Sequence, residues 1–231
     1  MDKRPSIIGR MFDRIAPTYD LLNTILSFSL DKSWRRAAVD LLEIRAGDAV
    51  LDIATGTGDL AIPVASRGGN VIGLDLSRQM LLRALGKAEE QGLRIRYSVV
   101  QGDALSMPFR NETFNSAMVA FGIRNMNNLD AFLAEIHRVL SVQGRFSVLE
   151  FSMPESSLFR WMYGAYLTYV VPIIGGLISG DYDAYRYLRD SVAGFPVPGA
   201  LEGMMKEQGF RVVRSRPIFW GISHLYLIEK Q

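Results

Sequence analysis

The stretch that most limits what this chain can fold into is LDIATGTGD, residues 51–59. An apolar run from Ala49 to Ile53 reaches a turn in which Gly56 and Gly58 let the backbone fold tightly and approach a ligand with no Cβ in the way. Asp59 and the apolar run Leu60 to Ala65 follow, and read as the start of a helix. A strand, a glycine turn and a helix hold a nucleotide-type cofactor. In open α/β sheets such ligands sit beyond the carboxyl ends of the strands.

Downstream, apolar runs alternate with helical periodicity, which predicts a parallel sheet with helices on both faces. The strands expected are 48–53, 70–75, 94–100, 114–121 and 144–151, with helices over 59–67, 77–91 and 129–140. Leu129, Phe132, Leu133, Ile136, Val139 and Leu140 share one face of the last helix, and Asn127 or Asn128 can cap it. Pro63 predicts a short or bent first helix. The tail reads as a helix, 198–208, then strands 210–216 and 222–229 separated by Pro217 to Gly221. Two successive strands with no helix between them make an antiparallel pair at one edge. The expected fold is α/β and Rossmann-like, a mostly parallel seven-stranded sheet with an antiparallel C-terminal edge pair.

Two segments lie outside the alternation. In the first, Pro17 breaks any helix near Ala16, and Ser33 caps a helix carrying Trp34, Ala37, Ala38, Leu41 and Leu42. Tyr19, Asp20 and Asn23 read as turn chemistry and packing. In the second, Trp161 to Ser179 carries no charge and as a helix would approach the roughly 30 Å of a bilayer core. Pro172 and the Gly175–Gly176 pair break it near its far end, so a lid over an apolar pocket, resting on a membrane surface, is the preferred reading. An ordinary buried helix is the alternative. The single domain thus divides into a helical cover (1–45), a cofactor-binding core (46–151), an apolar lid (152–195) and a C-terminal helix with edge strands (196–231).

Composition removes several functions. A net charge of +2 offers no footprint for nucleic acid. The chain has no cysteine, and His137 and His224 lack ligand spacing, so no metal site is expected. The first dozen residues contain no signal-peptide core, which points to the cytoplasm. A homodimer is left open.

Three carboxylates fall at successive strand ends. Asp52 could orient the glycine turn or meet an ammonium group, Asp75 stands where an acid takes ribose hydroxyls, and Asp103 could accept from an adenine amino group. The choice is then NAD or S-adenosylmethionine. Asp103 and the paired C-terminal strands favour the methyl donor, while Gly56, Gly58 and Ala61 suit either.

LDIATGTGD, GLDLS, QGDAL with MPF, and the edge strands resemble a class I S-adenosylmethionine-dependent methyltransferase. FDRIAPTYDLLNTILSFSLDKSW, FGIRN, RVLSVQGRFSVLEFS and YRYL are more narrowly similar to the ubiquinone/menaquinone C-methyltransferase family, over nearly the whole chain. The resemblance implies methyl transfer to a ring carbon of a reduced polyprenyl quinone. A naphthoquinol of the menaquinone series is the nearer substrate, and a ubiquinone-precursor benzoquinol falls in the same family. The cofactor set implied is Asp52, Thr55, Gly56, Thr57, Gly58, Asp75, Leu76, Asp103, Ala104 and Ala120. Arg124 is expected to stabilise a developing quinolate or position a water, with Asn125 fixing its orientation and Tyr19 and Asp20 as second candidates. The plainer alternative pairs Arg124 with a carboxylate and leaves Asn125 to shape the turn. A polyprenyl tail further implies a peripheral contact with the inner face of the cell membrane.

Several positions depart from that family's pattern. Ser29 and Asp31 stand for its Gly and His, Ser141-Val142-Gln143-Gly144 for its Lys-Pro-Gly-Gly turn, Phe114-Asn115 for part of its Thr-Phe-Asp, and Ala120 for a polar residue before FGIRN. Rival functions are an NAD-dependent oxidoreductase, a non-catalytic adenosyl-binding scaffold, and methylation of another lipid.

Overall fold

The computed structural model describes residues 2–231. Strands β1 (Ala49–Ile53), β2 (Asn70–Asp75), β3 (Tyr97–Gln101), β4 (Phe114–Ala120), β5 (Leu140–Phe151), β6 (Phe210–Ile218) and β7 (Ser223–Lys230) form one sheet in the order β3-β2-β1-β4-β5-β7-β6. Strands β1 to β5 pair in parallel, and β7 inserts antiparallel between β5 and β6. The central strands are apolar on both sides because both faces are covered. On one face α6 (Leu129–Val139) and α10 (Pro198–Glu207) bury Phe132, Leu133, Ile136, Leu201 and Met205. Against the other lie α3 (Leu30–Asp40), α4 (Ala61–Ser66) and α5 (Arg78–Glu90), through Trp34, Val39, Val64 and Ala84.

The cover consists of α1 (Pro5–Ile15) and α2 (Tyr19–Leu26), joined by a 3₁₀ turn at Pro17. The lid consists of α7 (Ser157–Ala165), α8 (Val171–Ser179) and α9 (Tyr182–Ala193). Cover and lid share a third core in which Met11, Ile15 and Leu22 meet Tyr163, Leu167 and Val171.

Several local expectations need correction. Helix α3 starts at Leu30, and Ser33 lies inside it with Oγ donating to the Leu30 carbonyl at 2.7 Å. Tyr19, Asp20 and Asn23 sit on helix α2 instead of a turn. Strand β3 starts later than its apolar pattern suggested, and Ile95 is exposed. Ser141 to Gly144 belongs to β5, where the pairing with β4 shifts register between Phe114 and Ser116. Pro63 does leave α4 short.

The largest correction concerns Pro172 and the glycine pair. Residues Ser157–Ser179 form one unbroken helical run of 23 residues. A π turn over Tyr166–Val170 immediately precedes Pro172 and takes up the irregularity it imposes, so the chain does not stop. Gly175 and Gly176 are buried contacts: a Cβ there would stand 2.3 Å from the Tyr185 ring and 2.2 Å from the Tyr182 ring. They let α9 pack against α8.

Candidate active site

The order of strands reverses between β1 and β4, and the crevice above their carboxyl ends holds a cleft. From β1 come Ala54 and Gly56, from β4 come Ala120, Phe121 and Gly122, and Asp75, Leu76, Asp103 and Ala104 complete the rim. Ile8 and Phe12 of α1 close it from above. Gly56 has φ of +54°, a left-handed conformation in which its N–H donates to Asp75 Oδ2 at 2.8 Å. The other oxygen of Asp75 accepts from Ser77 N at 2.8 Å. Burial pushes the Asp75 carboxyl up to about 6, against the pull of these amides. Asp103 is shaped by an amide bond from Leu105 N at 2.9 Å.

The remaining residues of the glycine turn lie behind the cleft. Asp52 is 1% exposed, with Oδ2 accepting from Thr55 Oγ1 at 2.5 Å and Oδ1 lacking a partner among the described residues. Burial pushes its carboxyl up to about 7, opposed by Thr55 and Arg35. Thr55 Oγ1 also meets the Tyr97 hydroxyl at 2.8 Å. Asp52 is thus tied to the glycine turn through Thr55. Gly58, at φ of +85°, packs inward, where a Cβ would stand 3.3 Å from Ala84 and 3.4 Å from Tyr97. Thr57 is buried under the cover, its Oγ1 donating to Asp20 Oδ1 at 2.6 Å, and Lys87 bridges Asp20 and Asp59 at 2.6 and 2.8 Å. Asp20 thus docks the cover onto the glycine turn and lines neither cavity.

A second, larger cavity of about 320 Å³ opens between cover, lid and the β6–β7 turn. Its walls are mostly aliphatic and aromatic. Phe12, Tyr19 and Phe121 line both cavities, so the two meet there. Arg124 lines the larger one and Asn125 the smaller. The Arg124 side chain is engaged with Glu150 Oε1 at 2.8 Å, Ser191 Oγ at 3.3 Å and the Phe121 carbonyl, and its backbone N–H donates to Glu150 Oε2 at 3.1 Å. The carboxylate pairing of the plainer reading is therefore present, while the guanidinium still borders the cavity. Asn125 does not orient Arg124, because its Oδ1 accepts from the Tyr187 hydroxyl at 3.0 Å.

Sequence reasoning missed Asn23, Asp31 and Arg35 as cavity residues, although Asp31 and Arg35 share one helix face by their spacing. It also missed Asp13, whose Oδ1 accepts from Ser77 Oγ at 2.6 Å and from Gln79 N at 3.0 Å, holding α1 over the cleft. No local pattern marks that contact.

A glycine-floored cleft rimmed by two carboxylates, at the switch point of a 3-2-1-4-5-7-6 sheet, is the architecture of the class I S-adenosylmethionine-dependent methyltransferase fold. Residues 1–229 match the ubiE/COQ5 methyltransferase family, and the chain belongs to it. It is 45% identical over 222 residues to a demethylmenaquinone methyltransferase of Thermus thermophilus, covering 95% of this chain and 100% of that one. It is 47% identical over 228 residues to a ubiquinone/menaquinone biosynthesis C-methyltransferase UbiE of Syntrophotalea carbinolica, covering 97% and 95%. Among solved structures, an S-adenosylmethionine-dependent methyltransferase from Aquifex aeolicus shares the fold at TM-score 0.63 and 16% identity, over 85% of this chain and 89% of that one. The cyclase SpnF shares it at TM-score 0.73 and 16% identity, over 96% and 95%. The fold alone therefore leaves the reaction open, and family membership makes this chain a C-methyltransferase that uses S-adenosylmethionine.

The cleft fits that cofactor by its donor set. Asp75 and Asp103 offer acceptors suited to ribose hydroxyls and an exocyclic amine, and Gly56 lets the backbone come close. When bound there, S-adenosylmethionine supplies an electrophilic methyl group.

Proposed function

We propose that the enzyme methylates a ring carbon of a reduced polyprenyl quinone, converting demethylmenaquinol to menaquinol. The observation that carries this reading is the apolar cavity that joins the adenosyl cleft at Phe12, Tyr19 and Phe121. A bicyclic ring placed at that junction would present its edge to the methyl group, with the prenyl tail running out along the cavity. In support, relatives from Thermus thermophilus and Deinococcus radiodurans, the latter 42% identical over 226 residues, are named for the demethylmenaquinone reaction. Other relatives carry names covering both quinone series, so a ubiquinone-precursor benzoquinol is the second reading.

The protein's share of the work is alignment and exclusion of water. Asp75, Asp103 and Gly56 hold the adenosyl portion, and the rings of Phe12, Tyr19 and Phe121 press the substrate ring against it. Arg124, fixed by Glu150 and Ser191, offers a rigid donor at the cavity wall, and Asn125 with Tyr187 holds the β4 loop in place.

The tail needs an exit, and the larger cavity is lined in part by exposed apolar side chains from three separate segments. Phe28 is 78% exposed, Trp220 67%, and Met162 51%. This rim, continuing into Leu158, Trp161 and Leu177 of the lid, is the face that we place against the inner surface of the cell membrane, with the body of the enzyme in the cytoplasm. A homodimer through the same face is the competing use, and sedimentation with and without lipid vesicles separates the two.

Mass spectrometry of the quinones of cells lacking this protein tests the reaction. Accumulated demethylmenaquinone is expected. An unchanged menaquinone profile overturns the assignment, and an accumulated demethylated benzoquinone moves it to the ubiquinone series.

A further inference from the structure

Helices α2 and α3 contribute to the lining of the larger cavity three polar side chains whose hydrogen-bonding needs the fold leaves partly unmet. Asp31 is 5% exposed; its Oδ1 accepts from Ser27 Oγ at 2.7 Å, while Oδ2 lies 3.6 Å from Arg35 Nε, outside hydrogen-bond range. Arg35 is 8% exposed, and its Nε and the Asn23 Nδ2 are buried with no hydrogen-bond partner among the described residues. All three residues line the cavity. Buried donors are ordinarily satisfied, so the orphan Arg35 Nε beside a loosely held carboxylate, with the orphan Asn23 amide lining the same cavity, marks a place for a ligand oxygen. That place also reaches the reacting junction, because the Arg35 guanidinium stacks 5.1 Å above the Phe121 ring. Arg124, which also lines this cavity, already has Glu150, Ser191 and the Phe121 carbonyl as partners.

We infer that Asp31 accepts the hydroxyl proton of the aromatic substrate, while Asn23 and Arg35 hold the oxygen it leaves. The inference rests on the cavity being the ring site, as proposed above. An aromatic hydroxyl suits the place because it donates once, to Asp31 Oδ2, and accepts from both orphan donors. As the ring carbon bonds to the methyl group and the sulfur–carbon bond breaks, the O–H electron pair becomes the second bond of a ring carbonyl and the proton passes to Asp31. The ring carbon then carries both hydrogen and methyl. Loss of that hydrogen as a proton to water restores aromaticity, the oxygen recovers its proton from Asp31, and one proton leaves per methyl transferred.

Arg35, on the same helix as Asp31, is flanked by Asp59, the Tyr19 phenol and Asp52; Lys87 pairs with Asp59, and Lys32 is the next residue along the helix and also acts on Asp59. Asp31→Asn in the full chain removes the negative charge at nearly unchanged size and puts an amide N–H donor in place of one carboxylate oxygen. Trp34 lines the cavity, so tryptophan quenching reports ring binding without cofactor. The probes are neutral 1,4-naphthoquinone and 2-hydroxy-1,4-naphthoquinone, an anion at neutral pH. Asp31→Asn is expected to bind the anion about tenfold more tightly, by loss of repulsion, and the neutral ring unchanged. S-adenosylhomocysteine binding should match the wild type, while turnover of a naphthoquinol falls roughly a hundredfold or more. Asp31→His, a base with a pKa of about 6.5, should restore turnover above that pH and introduce an acid limb there.

Wild-type anion preference together with full turnover in Asp31→Asn overturns the inference. If Asp31→Asn fails to bind S-adenosylhomocysteine, Asp31→His carries the test, and a flat profile between about pH 5.5 and 8 overturns it. A wild-type protein that binds neither ring overturns the substrate reading and this inference together. Ring binding that is indifferent to Asp31, with turnover intact, overturns this inference alone.

Discussion

Asp52 and Asp75 show how a cofactor turn can be built at the expense of stability. Burial raises both carboxyls above their ordinary value of 3.8, to about 7 and about 6. The folded state therefore binds more protons than the unfolded chain once pH exceeds about 4, and stability falls as pH rises until each folded pKa is passed. Above about pH 7 the loss is complete. Asp52→Asn should raise the urea-derived stability at pH 8 by about 1–3 kcal/mol and leave it nearly unchanged at pH 4. Equal effects at both pH values would contradict the assignment. At Asp75 the expected change is in binding: Asp75→Asn weakens S-adenosylhomocysteine by roughly tenfold or more in calorimetry, because an amide cannot accept from two hydroxyls as a carboxylate does. The glycines and acids of this turn were legible because their spacing follows the strand and helix periods. Their division of labour was not. That Gly58 faces Tyr97 while Gly56 faces the cleft depends on β3, far away in sequence.

At the scale of elements, the cover is tied on by adjacent residues. Asp13 accepts from Ser77 and Gln79 at the start of α5, and Arg14 pairs with Asp181 of the lid at 2.7 Å. Asp13→Ala should cost about 1 kcal/mol, speed amide exchange over residues 5–15, and weaken S-adenosylhomocysteine several-fold, since Ile8 and Phe12 roof the cleft. In the lid, Gly175→Ala drives a methyl group into Tyr185, and a loss of about 1–3 kcal/mol is expected in urea melts. Gly164→Ala, in the same helical run with open space around it, is the control and should gain about 0.5–1 kcal/mol. All seven strands were readable from apolar runs bounded by turn residues. Helix starts and the role of the Gly175–Gly176 pair were not, because a tyrosine ring from another helix decides them.

Across the whole molecule, the proposed function comes from placing two cavities edge to edge. The switch point supplies a cleft rimmed by Asp75 and Asp103, the cover and lid supply a larger apolar cavity, and the two meet at Phe12, Tyr19 and Phe121. If the exposed rim meets lipid, Trp161→Ala combined with Trp220→Ala should lower vesicle binding several-fold while leaving turnover of a short-tailed naphthoquinol unchanged. Vesicle binding equal to the wild type would move the contact elsewhere. The fold class and the adenosyl cleft could be derived from the sequence, whereas the apolar cavity could not, since cover, lid and the β6–β7 turn build it from three distant segments. The most direct test of the two-cavity account is transfer from methyl-labelled S-adenosylmethionine to demethylmenaquinol by the purified protein. The account predicts one labelled methyl on the quinol ring for each S-adenosylhomocysteine formed; cofactor binding without any label entering the ring would contradict it.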